Sequence, residues 1–437
     1  MGKHWIFRGR TLFASTGLIA LTAGLALDHQ THDGGLSSDQ IDADLRRQAL
    51  ADAVRDLGQD AARGYLGDAI LLDLVEPDAG EGGSEAAIAA YVAALDARPG
   101  VDVEKAGVYS EGEHLFRVEL DGNPSDGAIA ALFDHALVEG YEQEVFYTLP
   151  EHALSAADGP LPDLEVNKPS PPEVFTPDDP MFGLQWHMNQ IRAPEAWTKN
   201  RGAGAVVAVI DSGVAWTTAD GVKAVPDLAG TKMVDGETFI KGAPGQGLDD
   251  HAHGTHVAGT IAQTTDNGVG VTGVAFESTI MPLKVLSKEG RGGVGDIANA
   301  IRYAADHGAH VINMSLGGPL PSSVLGKAIE YAHAKGVTVV AAAGNEKRGR
   351  VGHPAAHKFS VAVGAVNYDR ELAFYSNWGK AIDVTAPGGD TRADRNGDGH
   401  PDGVLQNTIQ IQRPQESDYL WFQGTSMASP HAAGVAA

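Results

Sequence analysis

GTSMASPH, residues Gly424–His431, is the stretch on which the reading of this chain turns. A serine acts as a nucleophile only if its hydroxyl is sterically open and a base takes its proton, so the small neighbours Gly424, Thr425 and Ala428 of Ser426 meet a physical requirement. Pro430 suits the first turn of a helix, where its missing N–H costs nothing, and AAGVAA continues as a close-packing helix. The helix N-terminus then lies at the serine, and its free N–H groups and dipole can receive a developing oxyanion.

Two stretches further back supply partners for such a serine. AVVAVIDSG (205–213) is an apolar, β-branched run that ends in Asp-Ser-Gly. That pattern predicts a buried parallel strand delivering Asp211 at its C-terminal end, the edge where reacting groups gather in open α/β sheets. HAHGTHVAGTIAQ (251–263) reads as a helix start carrying His253 in its first turn. Its three histidines lack the i, i+4 pair and activating glutamate of a helical zinc site.

Together these motifs resemble the subtilisin-like serine proteases, or subtilases, in which they occur in the chain order Asp, His, Ser. The resemblance covers roughly residues 179–437. It implies a triad of Asp211, His253 and Ser426, and matches Asn345 of AAAGN to the oxyanion-hole asparagine. Ala252 stands where the family often has glycine. The resemblance also implies that Ser315, Leu316, Gly317 and Gly318 (SLGG), with Gly293 and Gly295 in GGVG (292–295), form edges that pair with extended substrate. Ala343 and Gly344 would wall the pocket, and Gly352 would lie at its base. The expected activity is serine endopeptidase, with large apolar residues preferred before the cleaved bond. The alternative is a pseudoprotease that uses the groove as a peptide-binding module, but every catalytic position is filled.

The expected fold is α/β, with IMPLKVL, HVINMSLGG, VTVVAAAGN and FSVAVGAV as strands of a mostly parallel sheet between helices. Upstream, AILLDLV (69–75), SEAAIAAYVAALDA (84–97), VDVEKAGVYS, HLFRVEL, SDGAIAALFDHALV and YEQEVFYTL alternate in βαββαβ order, a ferredoxin-like plan. Its position resembles that of a subtilase propeptide, an intramolecular chaperone and inhibitor of its own protease. A charged helical pattern at 39–62 precedes it. The predicted organisation is a signal peptide (1–27), a propeptide (28–150, core about 65–150), a Pro-rich linker (151–178) and a catalytic domain (179–437), with autoprocessing expected between Leu149 and Asp179. The family continues with further helices, so the sequence reads as truncated at its C-terminus.

Lys3, Arg8 and Arg10 before the apolar run Leu12–Leu27 have the order of an export signal, which predicts a secreted protein free of the membrane after signal removal. At 437 residues and 43% hydrophobic, with 55 glycines, the chain can bury more than one core. A formal net charge of −25 argues against a nucleic-acid partner, and the resemblance implies polypeptide substrates. The absence of cysteine excludes disulfides and a thiol nucleophile, leaving packing and hard cations as stabilisers. The catalysis needs no cofactor. Structural Ca2+ is expected in two loops. TTDNGVGVTGVA (264–275) resembles the family's calcium loop, with Asn267, the carbonyls of Val269 and Val271, and Asp227 as ligands. DRNGDGHPDG (394–403) alternates Asp394, Asn396, Asp398 and Asp402 as in an EF-hand loop, but Leu405 stands at the position of the bidentate glutamate.

Overall fold

The computed structural model describes residues 38–75, 85–107, 114–122, 124–149, 174–411 and 413–437. The predicted signal peptide and most of the predicted linker lie outside these residues, and so does most of the Leu149–Asp179 span expected to hold the processing site. Among the described residues no helix is long and apolar enough to cross a membrane.

The N-terminal unit runs α1 (Ser38–Leu57), α2 (Gln59–Ala62), β1 (Leu66–Leu74), α3 (Glu85–Asp96), β2 (Val101–Lys105), β3 (Leu115–Leu120), α4 (Asp126–Leu132) and β4 (Val138–Thr148). The single charged helix expected over 39–62 is broken at Gly58, whose φ of +86° suits glycine and ends the first helix. The helix expected to reach residue 138 stops at Leu132, because Phe133 leaves the helical region. Its strands pair antiparallel in the order β2-β3-β1-β4. Side chains alternate across β1, as the pleat requires: Ile70, Leu72 and Leu74 join the small unit's own core with Ile88, Leu95 and Phe116, while Leu71 faces the larger body.

The larger body begins with α5 (Trp186–Gln190), α6 (Ala193–Ala196), β5 (Val206–Asp211), β6 (Lys232–Met233), β7 (Glu237–Thr238), α7 (His253–Ala262), β8 (Thr279–Lys284) and β9 (Arg291–Gly293). It continues through α8 (Val294–Asp306), β10 (Val311–Met314), α9 (Ser323–Ala334), β11 (Thr338–Ala342), β12 (Ser360–Val366), β13 (Val384–Pro387), β14 (Val404–Gln410), β15 (Arg413–Phe422) and α10 (Thr425–Ala436). The central sheet is parallel, in the order β13-β12-β11-β10-β5-β8-β6, so the α/β expectation holds. Both faces are covered. On β5, Ala208 and Ile210 enter one core with residues of α8 and α9, and Val207 and Val209 enter the other with residues of α7 and α10. Strands buried on both sides must be apolar throughout, which is why VVAVI could be read as one.

From β5 the order runs to β8 on one side and to β10 on the other. The carboxyl ends of β5, β10 and β11 therefore border the crevice at a topological switch point. The small unit docks beside that crevice: Glu142 of β4 accepts hydrogen bonds from the Ser323 N–H and the Ser322 hydroxyl at the start of α9, and a carboxylate is favoured at a helix N-terminus.

Candidate active site

Asp211 is the last residue of β5, and its strand leaves it wholly buried. Its Oδ1 accepts the Ser212 N–H at 2.7 Å and lies 2.8 Å from Nδ1 of His253, the first residue of α7. Both side chains are sealed from solvent. With Nδ1–H donated to the carboxylate, the free lone pair resides on Nε2, which is buried and without a partner among the described residues.

The histidine loop is held by a carboxylate that sequence reasoning passed over. Asp249 Oδ1 accepts from the Ser212 hydroxyl (2.9 Å) and from the N–H groups of His251 (2.8 Å) and Ala252 (3.1 Å). Its Oδ2 accepts from Thr255 through both N–H (3.0 Å) and hydroxyl (2.6 Å), satisfying donors at the start of α7. A second brace is Lys284, fully buried, whose ammonium donates to the Ser212 carbonyl and the Asp250 carboxylate, each at 2.6 Å. Ala252 adopts φ +102°, a conformation that favours glycine, so the departure noted in the sequence falls where it strains the backbone.

Gly424, at φ +146°, turns the chain from β15 into α10 and places Ser426 in the first turn. The Ser426 hydroxyl donates to the Ser315 carbonyl at 2.9 Å, and the Ser315 hydroxyl donates to the Ser426 carbonyl at 2.8 Å. Asn345, just past β11, accepts through Oδ1 from both the N–H (2.9 Å) and hydroxyl (2.8 Å) of Thr425. This fixes its amide so that Nδ2, buried and without a partner among the described residues, is the end left to donate.

The groove is bounded by Ser315–Gly318 and by β9, and the chain's own residues 146–149 lie between them. Thr148 donates to the Gly317 carbonyl (3.1 Å) and accepts the Gly317 N–H (3.3 Å), while Phe146 and Tyr147 pair with Gly293 and Gly292. Leu149 adds a bond from its N–H to the Gly290 carbonyl at 2.9 Å. Behind this strand, Gly318 pairs with His353, and the Gly352 N–H donates to the Ala343 carbonyl at 2.9 Å. A cavity here is bordered by Leu316, Gly317, Gly318, Gly344 and Gly352. Gly295 is a correction: it lies inside α8, not on the strand edge, and its Cα faces Leu71 and Ala106 of the small unit. The helix starts at Val294 because the chain turns away from β9 there.

The 264–275 loop wraps a buried carboxylate. Asp227 accepts from the Val271 N–H (3.0 Å) and the Asn267 amide (3.1 Å), and Asp179, unsuspected from sequence, takes the Asp266 N–H at 2.7 Å. Burial pushes Asp179 and Asp227 each up to about 6, and the Asp179 Oδ1 is buried without a partner among the described residues. Two desolvated carboxylates are oxygen donors of the kind a hard cation takes. In the 394–403 loop, Asp394 accepts three backbone N–H groups, from Gly397, Asp398 and Gly399, and Asp398 accepts the His400 N–H. Asn396 caps the Asp398 N–H, and only Oδ1 of Asp402 is buried and unpartnered. Among the described residues no three His, Asp or Glu side chains are gathered closely enough to hold a metal ion. The carbonyls of Val269 and Val271 and the Asn267 amide must therefore complete any site around Asp227.

A model of the subtilase family matches residues 202–437. The thermophilic serine proteinase of Bacillus sp. (strain AK1) is 41% identical over 267 residues, covering 60% of this chain and 59% of that protein. Thermitase of Thermoactinomyces vulgaris is 38% identical over 265 residues, 60% of this chain and 84% of its own length. Among solved structures, one of the proteases from Pseudoalteromonas arctica superimposes with a TM-score of 0.54 at 36% identity, covering 60% of this chain and 86% of that one. The match thus spans less than two thirds of the first of these relatives and most of the other two.

Proposed function

Because the chain belongs to the subtilase family, we propose that it is a serine endopeptidase, with Ser426 as nucleophile, His253 as general base and acid, and Asp211 as the group that orients the imidazole. The observation that carries this reading is the sealed Asp211–His253 pair with its lone pair free on Nε2, at the start of an α7 that packs against α10, whose first turn carries Ser426.

The Ser426 Oγ bonds to the scissile carbonyl carbon as its proton passes to His253 Nε2, and the positive imidazole is stabilised by Asp211. Asn345 Nδ2 and the Ser426 N–H donate to the oxyanion. Collapse breaks the C–N bond as His253 hands its proton to the leaving amine, giving an acyl-enzyme that water, activated by the same histidine, hydrolyses. For this the serine hydroxyl exchanges the Ser315 carbonyl for His253 Nε2. Catalytic hydrogen bonds commonly form only once substrate is bound.

Residues 146–149 occupy the groove in the manner of a bound substrate strand, which supports a zymogen whose N-terminal unit inhibits by β-strand addition and leaves after cleavage in the 149–179 region. The apolar N-terminal run supports secretion. A structural Ca2+ would be held by Asp227, Asp179, Asn267 and the loop carbonyls, with Asp394, Asn396, Asp398 and Asp402 as a weaker second site. It would neutralise buried charge and tether loops, with no part in bond cleavage.

The test is labelling of the processed protein by a fluorophosphonate. Covalent labelling that disappears in Ser426→Ala is expected, and an unlabelled, properly folded protein would identify a pseudoprotease.

A further inference from the structure

Lys284 is fully buried, and the mechanism above makes no use of its ammonium. It ends β8 directly opposite Asp211, the end of β5, so the two strands deliver both residues to one edge of the sheet. Its Nζ donates to the carbonyl of Ser212, the residue after Asp211, and to Oδ1 of Asp250, in the loop before His253, each at 2.6 Å. Between these two points the Ser212 hydroxyl donates to Asp249 at 2.9 Å and accepts the Gly254 N–H at 3.0 Å. One buried cation therefore joins the strand end that carries Asp211 to the loop that leads into His253.

Stability alone does not require a cation here. Burying an ammonium costs hydration that a carboxylate partner only partly offsets, and an apolar side chain of similar length would serve the fold as well. What an apolar side chain lacks is direction and charge. The titratable groups around the His253 imidazole are Asp211 on β5, Asp249, Asp250 and His251 in the loop before α7, His256 on α7, Lys284 on β8, and His431 on α10, the helix packed against α7. Burial holds His251, His256 and His431 below the usual histidine range, so near neutral pH they carry no charge. The carboxylates of Asp211, Asp249 and Asp250 then face one ammonium. Without it, their excess negative charge would draw a proton onto the imidazole before the serine could supply one.

We propose that Lys284 is a positioning residue for the Asp211–His253 pair, its ammonium fixing the two segments that bear them and offsetting the surrounding carboxylates so that the imidazole stays free to act as a base. This rests on the protease reading above.

The experiment measures kcat and KM against pH on the processed full chain with one fluorogenic peptide. Lys284→Met removes the charge and keeps the length of the side chain, while Asp250→Asn removes the opposing charge and keeps an oxygen for the ammonium. Lys284→Met should lower the plateau kcat by about 10-fold through misplacement of the pair, with KM unchanged, because the sealed side chain touches no substrate. The acid limb of kcat/KM should move up by about one pH unit in Lys284→Met, since loss of a nearby positive charge favours the imidazolium. In Asp250→Asn it should move down, since a negative charge is lost. Opposite displacements are the signature of charge, and packing defects do not produce them. An acid limb that stays in place in Asp250→Asn would overturn the proposal, even if Lys284→Met fails to fold, and so would displacement of both variants in one direction. A parent chain that cleaves no peptide would instead overturn the protease reading, and the positioning role with it.

Discussion

The Ser426 hydroxyl is bonded to the backbone carbonyl of Ser315, 2.9 Å away and 111 residues earlier in the chain, and not to the histidine that would activate it. The proposed nucleophile thus rests on the same segment, Ser315–Gly318, that pairs with the chain's own Thr148. In the proposed mechanism Ser426, His253 and Asp211 act as one unit. Alanine at any of them should reduce turnover by several orders of magnitude, and a double replacement should cost hardly more than the worse single one. Single-turnover rates on one peptide check this, and losses that multiply would show that the residues act independently.

Asn345→Ala should lower kcat by about 10²- to 10³-fold with little change in KM, a magnitude known from the corresponding donor in subtilisin. The Thr425 contacts that orient the amide predict a smaller loss for Thr425→Val, which removes the hydroxyl donor and leaves the N–H in place. An Asn345→Ala enzyme with unchanged kcat would remove this residue from the oxyanion site.

Acid should destabilise the fold through buried histidines. His187 and His431 are in contact, Nδ1 to Nε2 at 2.8 Å, and both are sealed inside the body together with His256. Burial holds all three below the usual histidine range, His431 at about 4, His256 at about 3 and His187 also well below it. The unfolded chain, titrating near 6.5, binds protons that the folded chain refuses, so stability is complete above about pH 6.5 and is lost as pH falls toward the folded values. The slope is about 1.4 kcal/mol per pH unit for each histidine. Thermal melting of Ser426→Ala should show Tm dropping steadily from pH 6.5 to 5, and a flat profile there would contradict the neutral cluster.

Asp296, at the start of α8, predicts the opposite trend. Burial pushes it up to about 7 against the pull of Arg117, with Glu144 adding to the rise. An acid raised in the folded state costs stability as pH climbs from its unfolded value near 4 to its folded value, after which the cost is constant. Asp296→Asn should therefore raise Tm at pH 8 more than at pH 5, again on the Ser426→Ala background. Equal gains at both values would show that its charge is not opposed.

For calcium, chelation should lower Tm and hasten self-digestion without altering the chemistry of the triad. An ion present at 100 times its dissociation constant stabilises by about 2.7 kcal/mol. Asp227→Asn should abolish most of the difference between calcium and chelator, and the pair Asp394→Asn, Asp398→Asn a smaller part. Identical melting of the parent Ser426→Ala protein in calcium and in chelator would leave these loops as acidic turns.

The sequence by itself determined the α/β class and the strand that ends in Asp211, because a strand buried on both faces is written as a continuous apolar run. The helix at Ser426 was likewise legible, since Gly424 and Pro430 act through local backbone conformation. The resemblance to subtilases followed from three such local signatures in order. Only the tertiary structure decided what depends on contacts between distant segments: that Asp249 and Lys284 brace the histidine loop, that Asp179 joins Asp227, that Gly295 belongs to a helix, and that Tyr147 is enclosed by Gly318 and Leu320. None of these carries a periodic signal. Asp179 looks like any acidic residue in a proline-rich stretch, and Lys284 like a charge interrupting a strand, until the fold removes water from around them. A side chain's burial and partners, and hence its chemistry, are set by which segments meet, and strand and helix patterns do not record that.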